Sequence, residues 1–149
     1  STYKLAVFNH DHTIIPGESS AKMSIPYSFA VATLSGKADI EEFSNDKIKD
    51  PIISSLTKKV KVFSNDKFTE LFPDKSIALV EINTKDGKSY QNKVDFPKGE
   101  PENPLTDVEL EEKFRSLANY AGKQKKEIQK IIEIVWNIDT RLNNLYRFL

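Results

Sequence analysis

Apolar and polar residues follow helical spacing over much of the chain, and short runs with strand character separate the helical segments. Residues 3–8 (YKLAVF) form a run that predicts a β-strand. Residues 24–34 (SIPYSFAVATL) are apolar nearly all round, which is typical of a helix that is buried on several sides. Ser24 suits the N-cap of this helix, and Gly36 suits its C-terminal end.

A second helix is predicted after Asp50 and Pro51, because aspartate caps a helix well and proline fits the first helical position. The apolar face of this helix consists of Ile52, Ile53 and Leu56. Residues 60–63 (VKVF) then predict a short strand.

Two further runs with strand character, residues 77–82 and 89–94, flank a short polar segment. Asp86 and Gly87 in that segment predict a β-hairpin, with Gly87 at positive φ. Alternate residues of a strand share one face, so we expect an apolar face of the first strand to meet the core. This face consists of Ala78, Val80 and Ile82.

The last third of the chain has the pattern of two helices after an extended connector at residues 97–104 (PKGEPENP). Thr106 and Glu109 have the spacing of a capping box, in which each side chain bonds a backbone donor of the first turn. After Gly122, an apolar stripe keeps helical spacing almost to the C-terminus. It consists of Ile128, Ile131, Ile132, Val135, Ile138, Leu142 and Leu145.

The element order therefore predicts an α+β fold: a two-layer sandwich, with a hairpin-containing sheet packed by helices, plus C-terminal helices.

Composition and charge argue against some classes of protein. The 149 residues include 22 Lys plus Arg and 22 Asp plus Glu, and this neutral balance lacks the basic excess of a nucleic-acid binder. No apolar run approaches the roughly 20 residues of a membrane-spanning helix, and the first ten residues lack the pattern of a secretory signal.

The chain contains no cysteine, which excludes disulfides, thiolate metal sites and a cysteine nucleophile within it. This composition fits a reducing compartment, and we expect a cytoplasmic location. His10 and His12 lie two residues apart, but a metal site needs a further ligand and the chain has no third histidine. No phosphate-binding loop or dinucleotide fingerprint is present, so neither a metal nor another cofactor is predicted.

Two residues near the first helix are candidates for chemistry. Lys22 precedes the helix, where a cation beside backbone donors suits a bound carboxylate, although a solvated lysine has the same pattern. Tyr27 lies among small and apolar residues, which is most often a core position with the hydroxyl bonded at one end. From the residues alone, the sequence indicates an α+β domain with a possible anion site.

Two stretches resemble signatures of the MmgE/PrpD family. Residues 21–36 (AKMSIPYSFAVATLSG) resemble its A-[KR]-[FM]-S-x-x-Y-x-x-A-x-x-L-x-x-G pattern, with Met23 where phenylalanine is commoner. Residues 86–118 resemble its second signature, a DG hairpin followed by PKGEPENPLTDVELEEKFRSLA. Residues 40–62 are similar to the segment that links the two signatures. The resemblance therefore extends over nearly the whole chain.

The resemblance implies that residues 1–118 are the α+β lid domain of a longer enzyme, with residues 119–149 as a helical extension. Family members have a large N-terminal helical domain, and we expect the extension to pack on that domain, which is missing here. The resemblance also implies a homodimer of the full-length protein. We expect the isolated chain to expose apolar surface where the helical domain would pack.

Family reactions move a proton next to a carboxylate of a small polycarboxylate, without a cofactor. The resemblance implies first a 2-methylcitrate dehydratase-like lyase of propionate metabolism. An iminodisuccinate epimerase-like isomerase and a cis-aconitate decarboxylase are the alternatives. It implies Lys22 and Ser24 as substrate-binding residues and Tyr27 and His12 as catalytic residues of an interdomain cleft. The general base is expected outside this chain, which is expected to be inactive alone, and a non-catalytic α+β interaction module is the remaining alternative.

Overall fold

A computed structural model describes residues 11–138 of the chain. The chain divides into two compact units, Ser1–Leu105 and Thr106–Leu149. The strand predicted at residues 3–8 lies outside the described residues, and so do Leu142 and Leu145 of the apolar stripe. The boundary after residue 118 was predicted from packing on another domain, and it stays a prediction.

The first unit contains short helices followed by one hairpin. The helices are α1 (Glu18–Lys22), α2 (Ile25–Ser35), a 3₁₀ helix (Ile40–Phe43), α3 (Asn45–Ile48), α4 (Pro51–Thr57) and α5 (Asp66–Glu70). Helix α2 packs against α4. The buried core consists of Ala21, Tyr27, Ala30, Val31 and Ile53. The apolar helix predicted at residues 24–34 is therefore the centre of this unit.

Local capping signals fix the ends of these helices as predicted. The Ser24 side chain accepts a hydrogen bond from the Tyr27 amide, and Gly36 ends α2 with a left-handed φ of 71°. The Asp50 carboxylate caps α4 by accepting hydrogen bonds from the amides of Ile52 and Ile53. Each of these signals is confirmed.

The strand predicted at residues 60–63 is wrong. The amides of Lys59 and Val60 bond back to carbonyls of α4, so the chain leaves the helix through a turn at residues 58–59. Residues 60–64 then have no regular structure, and the Phe63 side chain is 79% exposed. A strand requires a neighbouring strand for its backbone hydrogen bonds, and within residues 11–138 none pairs with this segment.

The predicted hairpin is confirmed. Strands β1 (Ala78–Asn83) and β2 (Ser89–Val94) pair antiparallel, with Ala78 opposite Val94 and Asn83 opposite Ser89. The helices and this hairpin together confirm the α+β class. Burial of the strand face was predicted wrongly: every residue of both strands is exposed, including Val80 and Ile82. The physical reason is that α2 and α4 bury their apolar residues against each other instead.

Gly87→Ala is expected to lower the local free energy of unfolding of the hairpin by about 1 kcal/mol, because alanine resists positive φ. Gly87 has a φ of 82°, and an added Cβ would meet no atom within 4 Å, so backbone strain is the whole cost. Hydrogen exchange of the amides of β1 and β2 measures this change. Gly17→Ala is the control, since Gly17 has extended backbone and equally open surroundings. Unchanged exchange in Gly87→Ala would contradict the expectation.

The second unit contains α6 (Asp107–Tyr120) and α7 (Lys125–Trp136). The predicted capping box is confirmed: the Thr106 hydroxyl accepts from the Glu109 amide, and the Glu109 carboxylate accepts from the Thr106 amide. Gly122, at a φ of 79°, lies in the turn between the helices. Ala118, Ile128 and Ile132 form the buried core, and Phe114 packs against it. None of the helices in residues 11–138 combines the length and apolar content that crossing a bilayer requires.

Candidate functional site

The Ser24 hydroxyl joins three of the four residues predicted for the site. Its Oγ donates a hydrogen bond to the backbone carbonyl of His12 over 2.6 Å and accepts one from the Tyr27 amide over 3.1 Å. Ser24 is 1% exposed. The hydroxyl therefore fixes the loop before α1 to the first turn of α2, and its proton is already used within the protein.

His12 lies in the loop before α1, and it is 5% exposed. Thr13 holds the preceding turn, because its amide and hydroxyl both donate to the Asp11 carboxylate. These bonds, the hydroxyl first and the amide second, lower the pKa of Asp11 below its usual value. Asp11 therefore remains an ionised acceptor that stabilises the turn. His10, the other half of the histidine pair, lies outside the described residues.

Tyr27 occupies the core of the first unit. Its hydroxyl donates to the backbone carbonyl of Glu42 over 2.7 Å, and its ring centroid lies 5.7 Å from that of Phe43. Burial, and then the negative charges of Asp50 and Glu42, raise the pKa of the phenol. The phenol therefore stays protonated at neutral pH, where it serves as a hydrogen-bond donor and not as a base. Acting on a substrate as a donor requires release of the Glu42 carbonyl, because a phenol has one proton.

Glu42 is a residue that the sequence reasoning missed. Its buried carboxylate accepts a hydrogen bond from the Asp39 amide over 3.0 Å and lies 3.7 Å from the Lys37 ammonium. Glu42, the largest cause, raises the pKa of Lys37. These contacts anchor the 3₁₀ helix, whose Glu42 carbonyl accepts the hydrogen bond from the Tyr27 hydroxyl. The available signal was the spacing from Asp39 to Glu42, which is that of a helix-capping pair.

Lys22 is the exposed member of the predicted set. It lies in the last turn of α1, and within residues 11–138 it forms no ion pair. The start of α2 offers fewer free donors than the sequence suggested, since Pro26 has no N–H and Ser24 already bonds the Tyr27 amide. In this part of the chain, the Ile25 amide is the donor left in the first turn. A carboxylate at this helix start would therefore bind chiefly to Lys22.

A cavity of about 200 Å³ lies beside Tyr27 within the first unit. Its wall includes Ser54 and Lys58, which lie one turn apart on and just after α4. The complete lining is Thr13, Ile14, Ile15, Tyr27, Ile48, Ser54, Thr57 and Lys58. The sequence reasoning did not select Ser54 or Lys58, although their spacing after Asp50-Pro51 places them on one helix face. The cavity holds a few water-sized groups, which makes it small for a metabolite.

Within residues 11–138, no three acidic or histidine side chains are grouped as a metal site requires. A search of curated proteins found no match to the chain. The family described as MmgE/PrpD C-terminal domain matches residues 8–138. This match spans both resemblance segments and the helices and hairpin between them. The chain therefore belongs to the MmgE/PrpD C-terminal domain family.

Proposed function

We propose that this chain is the C-terminal lid of an enzyme that moves a proton next to a carboxylate of a small polycarboxylate. The family match over residues 8–138 is the observation that carries the proposal. Dehydration of 2-methylcitrate is the first candidate reaction, as in a lyase of propionate metabolism. Epimerisation of iminodisuccinate and decarboxylation of cis-aconitate are the alternatives.

Chemistry of this kind needs cations that hold carboxylates and a base that reaches a proton. Lys22 meets the first need, because it is exposed and lies two residues before Ser24, whose buried side chain bonds the His12 carbonyl and the Tyr27 amide. Ser24 contributes by positioning, since its hydroxyl is occupied by His12 and Tyr27. Tyr27 and His12 act as catalytic residues in this proposal, with Tyr27 as a protonated donor. The general base comes from another domain.

The proposed partner of the lid is a helical domain of the same polypeptide, within a cytoplasmic homodimer. Large apolar side chains are exposed in both units, which supports a covering partner. They include Ile25 and Leu34 on α2, and Leu117 and Val135 in the second unit. Exposed groups of this size are unfavourable in water and become stable when another surface covers them.

A non-catalytic binding module is the second candidate function. It is favoured by the burial of His12, Ser24 and Tyr27, which leaves Lys22 as the exposed side chain among the four predicted residues. A module of this kind would bind its partner through Lys22 and the neighbouring apolar surface, without reacting groups.

Assays with methylcitrate, cis-aconitate and iminodisuccinate test the proposal on the 149-residue chain and on the protein encoded together with its upstream region. We expect no turnover by the chain alone, because the base and most carboxylate contacts belong to the helical domain. We expect turnover of one of the three substrates by the longer protein. Turnover by the chain alone would contradict the lid proposal. A longer protein that contains the helical domain and turns over none of the three would favour the binding module.

A further inference from the structure

Helices α6 and α7 form an antiparallel pair with two chemically different sides. Arg115 bonds Gln129, and Glu111 bonds Trp136, so residue numbers rise along one helix as they fall along the other. At 3.6 residues per turn, Glu111 and Arg115 lie on one side of the Phe114 packing stripe. Lys113 lies on the opposite side of that stripe. The polar bonds between the helices therefore define one side of the pair.

A groove of about 740 Å³ runs along this polar side, entirely within the second unit. Its volume is in the range of small-molecule sites. Four cations and one carboxylate line it, although the whole chain has a formal net charge of zero. The lining consists of Arg115, Asn119, Lys125, Lys126, Ile128, Gln129, Lys130 and Glu133. The cationic character is therefore local to the groove.

Arg115 is held in place with donors to spare. One of its terminal nitrogens, Nη2, donates to Glu111 over 2.9 Å and to Gln129 over 2.8 Å. A guanidinium has five N–H donors, and within the part of the chain that the structure describes the three on Nε and Nη1 form no hydrogen bond. The side chain remains 36% exposed. An anion that binds Arg115 meets a guanidinium that is already ordered. Binding therefore avoids the entropy cost of fixing a free arginine side chain.

The lysines of the groove are exposed, and within residues 11–138 Lys125, Lys126 and Lys130 form no ion pair. Lys126 and Lys130 lie one helical turn apart, a rise of about 6 Å. Two anionic groups of one small molecule span that distance. The ammonium groups are therefore available to an external anion.

The nearby carboxylates are already bonded within the protein. Glu133 accepts from Gln129, and Glu127 accepts from the Gln124 amide at the start of α7. Glu111 accepts from Arg115 and from the Trp136 indole, and these two bonds, Arg115 first, lower its pKa. The acidic groups thus orient the groove, and among residues 11–138 its lysines have no carboxylate as an ion-pair partner.

We propose that the α6–α7 groove binds a compact polyanion that carries at least two carboxylate or phosphate groups. Arg115 binds one group as a fork, and Lys126 and Lys130 bind another as point charges. One exposed charge pair gains little free energy in water, so several charges on one ligand are required. The groove is formed by residues of the second unit, and its proposed ligand does not depend on the proposed function.

Calorimetric titration of the 149-residue chain with citrate, inorganic tripolyphosphate and acetate, at matched ionic strength, tests the proposal. We expect citrate or tripolyphosphate to bind at one site per chain, and acetate to bind far more weakly. Trp136 is the only tryptophan of the chain, and its indole shares Glu111 with Arg115. Its fluorescence is therefore expected to change in parallel with the heat. Preference for citrate or for tripolyphosphate distinguishes a carboxylate site from a phosphate site.

The double variant Lys126→Gln, Lys130→Gln is expected to weaken binding about tenfold or more, as loss of charge-assisted contacts implies. Lys113→Gln is the matched control, because it removes a lysine of the same unit outside the groove, and we expect less than about a twofold change. Lys22→Ala is expected to leave this binding unchanged. The proposal is overturned by absence of saturable binding, by equal losses in the groove and control variants, or by loss only in Lys22→Ala.

Discussion

Lys22→Ala in the longer enzyme that we propose is expected to lower kcat/KM about tenfold or more, with the melting temperature nearly unchanged. The expected loss is that of one charge-assisted contact to a substrate carboxylate. The melting temperature should hold because Lys22 is exposed and, within residues 11–138, forms no ion pair. Steady-state kinetics and thermal unfolding of the same preparation measure the two quantities.

Lys47→Ala is the matched control for Lys22→Ala. Lys47 is also an exposed lysine in the last turn of a short helix, α3, and it lies outside the resemblance signature that contains Lys22. We expect kcat/KM of Lys47→Ala to remain within about twofold of the parent. An unchanged kcat/KM in Lys22→Ala would contradict the proposed contact between Lys22 and the substrate. Lys22 would then be an ordinary solvated surface residue.

Ser24→Ala is expected to lower the free energy of unfolding of the first unit by about 2–3 kcal/mol. The substitution removes the cap of the Tyr27 amide and leaves the His12 carbonyl without its 2.6 Å donor in a buried place. Denaturant unfolding followed by circular dichroism measures the change, with hydrogen exchange of α2 amides to localise it. Trp136 lies in the second unit, so its fluorescence does not report on this transition directly.

Ser44→Ala is the control for that substitution. Ser44 is likewise the N-cap residue of a helix, α3, but its side chain makes no capping hydrogen bond. We expect Ser44→Ala to change the free energy of unfolding of the first unit by less than about 0.5 kcal/mol. Equal losses of unfolding free energy in Ser24→Ala and Ser44→Ala would contradict a stabilising role for the hydrogen bonds of Ser24. Ser24 would then not be the residue that positions Lys22.

Local signals in the sequence determined where most helices begin and end. Ser24, Asp50 and the Thr106–Glu109 pair each satisfy backbone groups within three residues of themselves. Gly87 likewise sets the hairpin turn through its own φ. Interactions over such short separations are available whatever the rest of the chain does, so they are readable in order along the sequence.

The predictions that were wrong concern features that depend on residues far along the chain. Residues 60–63 have strand composition, but a strand also needs a partner at its edge. The apolar face of β1 has the right alternation, but alternation does not determine which surface covers it. The burial of that face was therefore not decided by the hairpin itself.

Only the tertiary structure decided the contacts that define the two proposed sites. Ser24 bonds His12 across 12 residues, Tyr27 bonds Glu42 across 15, and Arg115 bonds Gln129 across 14. Each bond requires two elements to meet in one orientation, which depends on the packing of α2 with its neighbours and of α6 on α7. Their positions relative to the predicted helix identified Lys22 and Tyr27 as candidates for chemistry. Packing left Lys22 in solvent. It also placed the Tyr27 hydroxyl where it donates to a backbone carbonyl, because a buried hydroxyl is stable only with a partner.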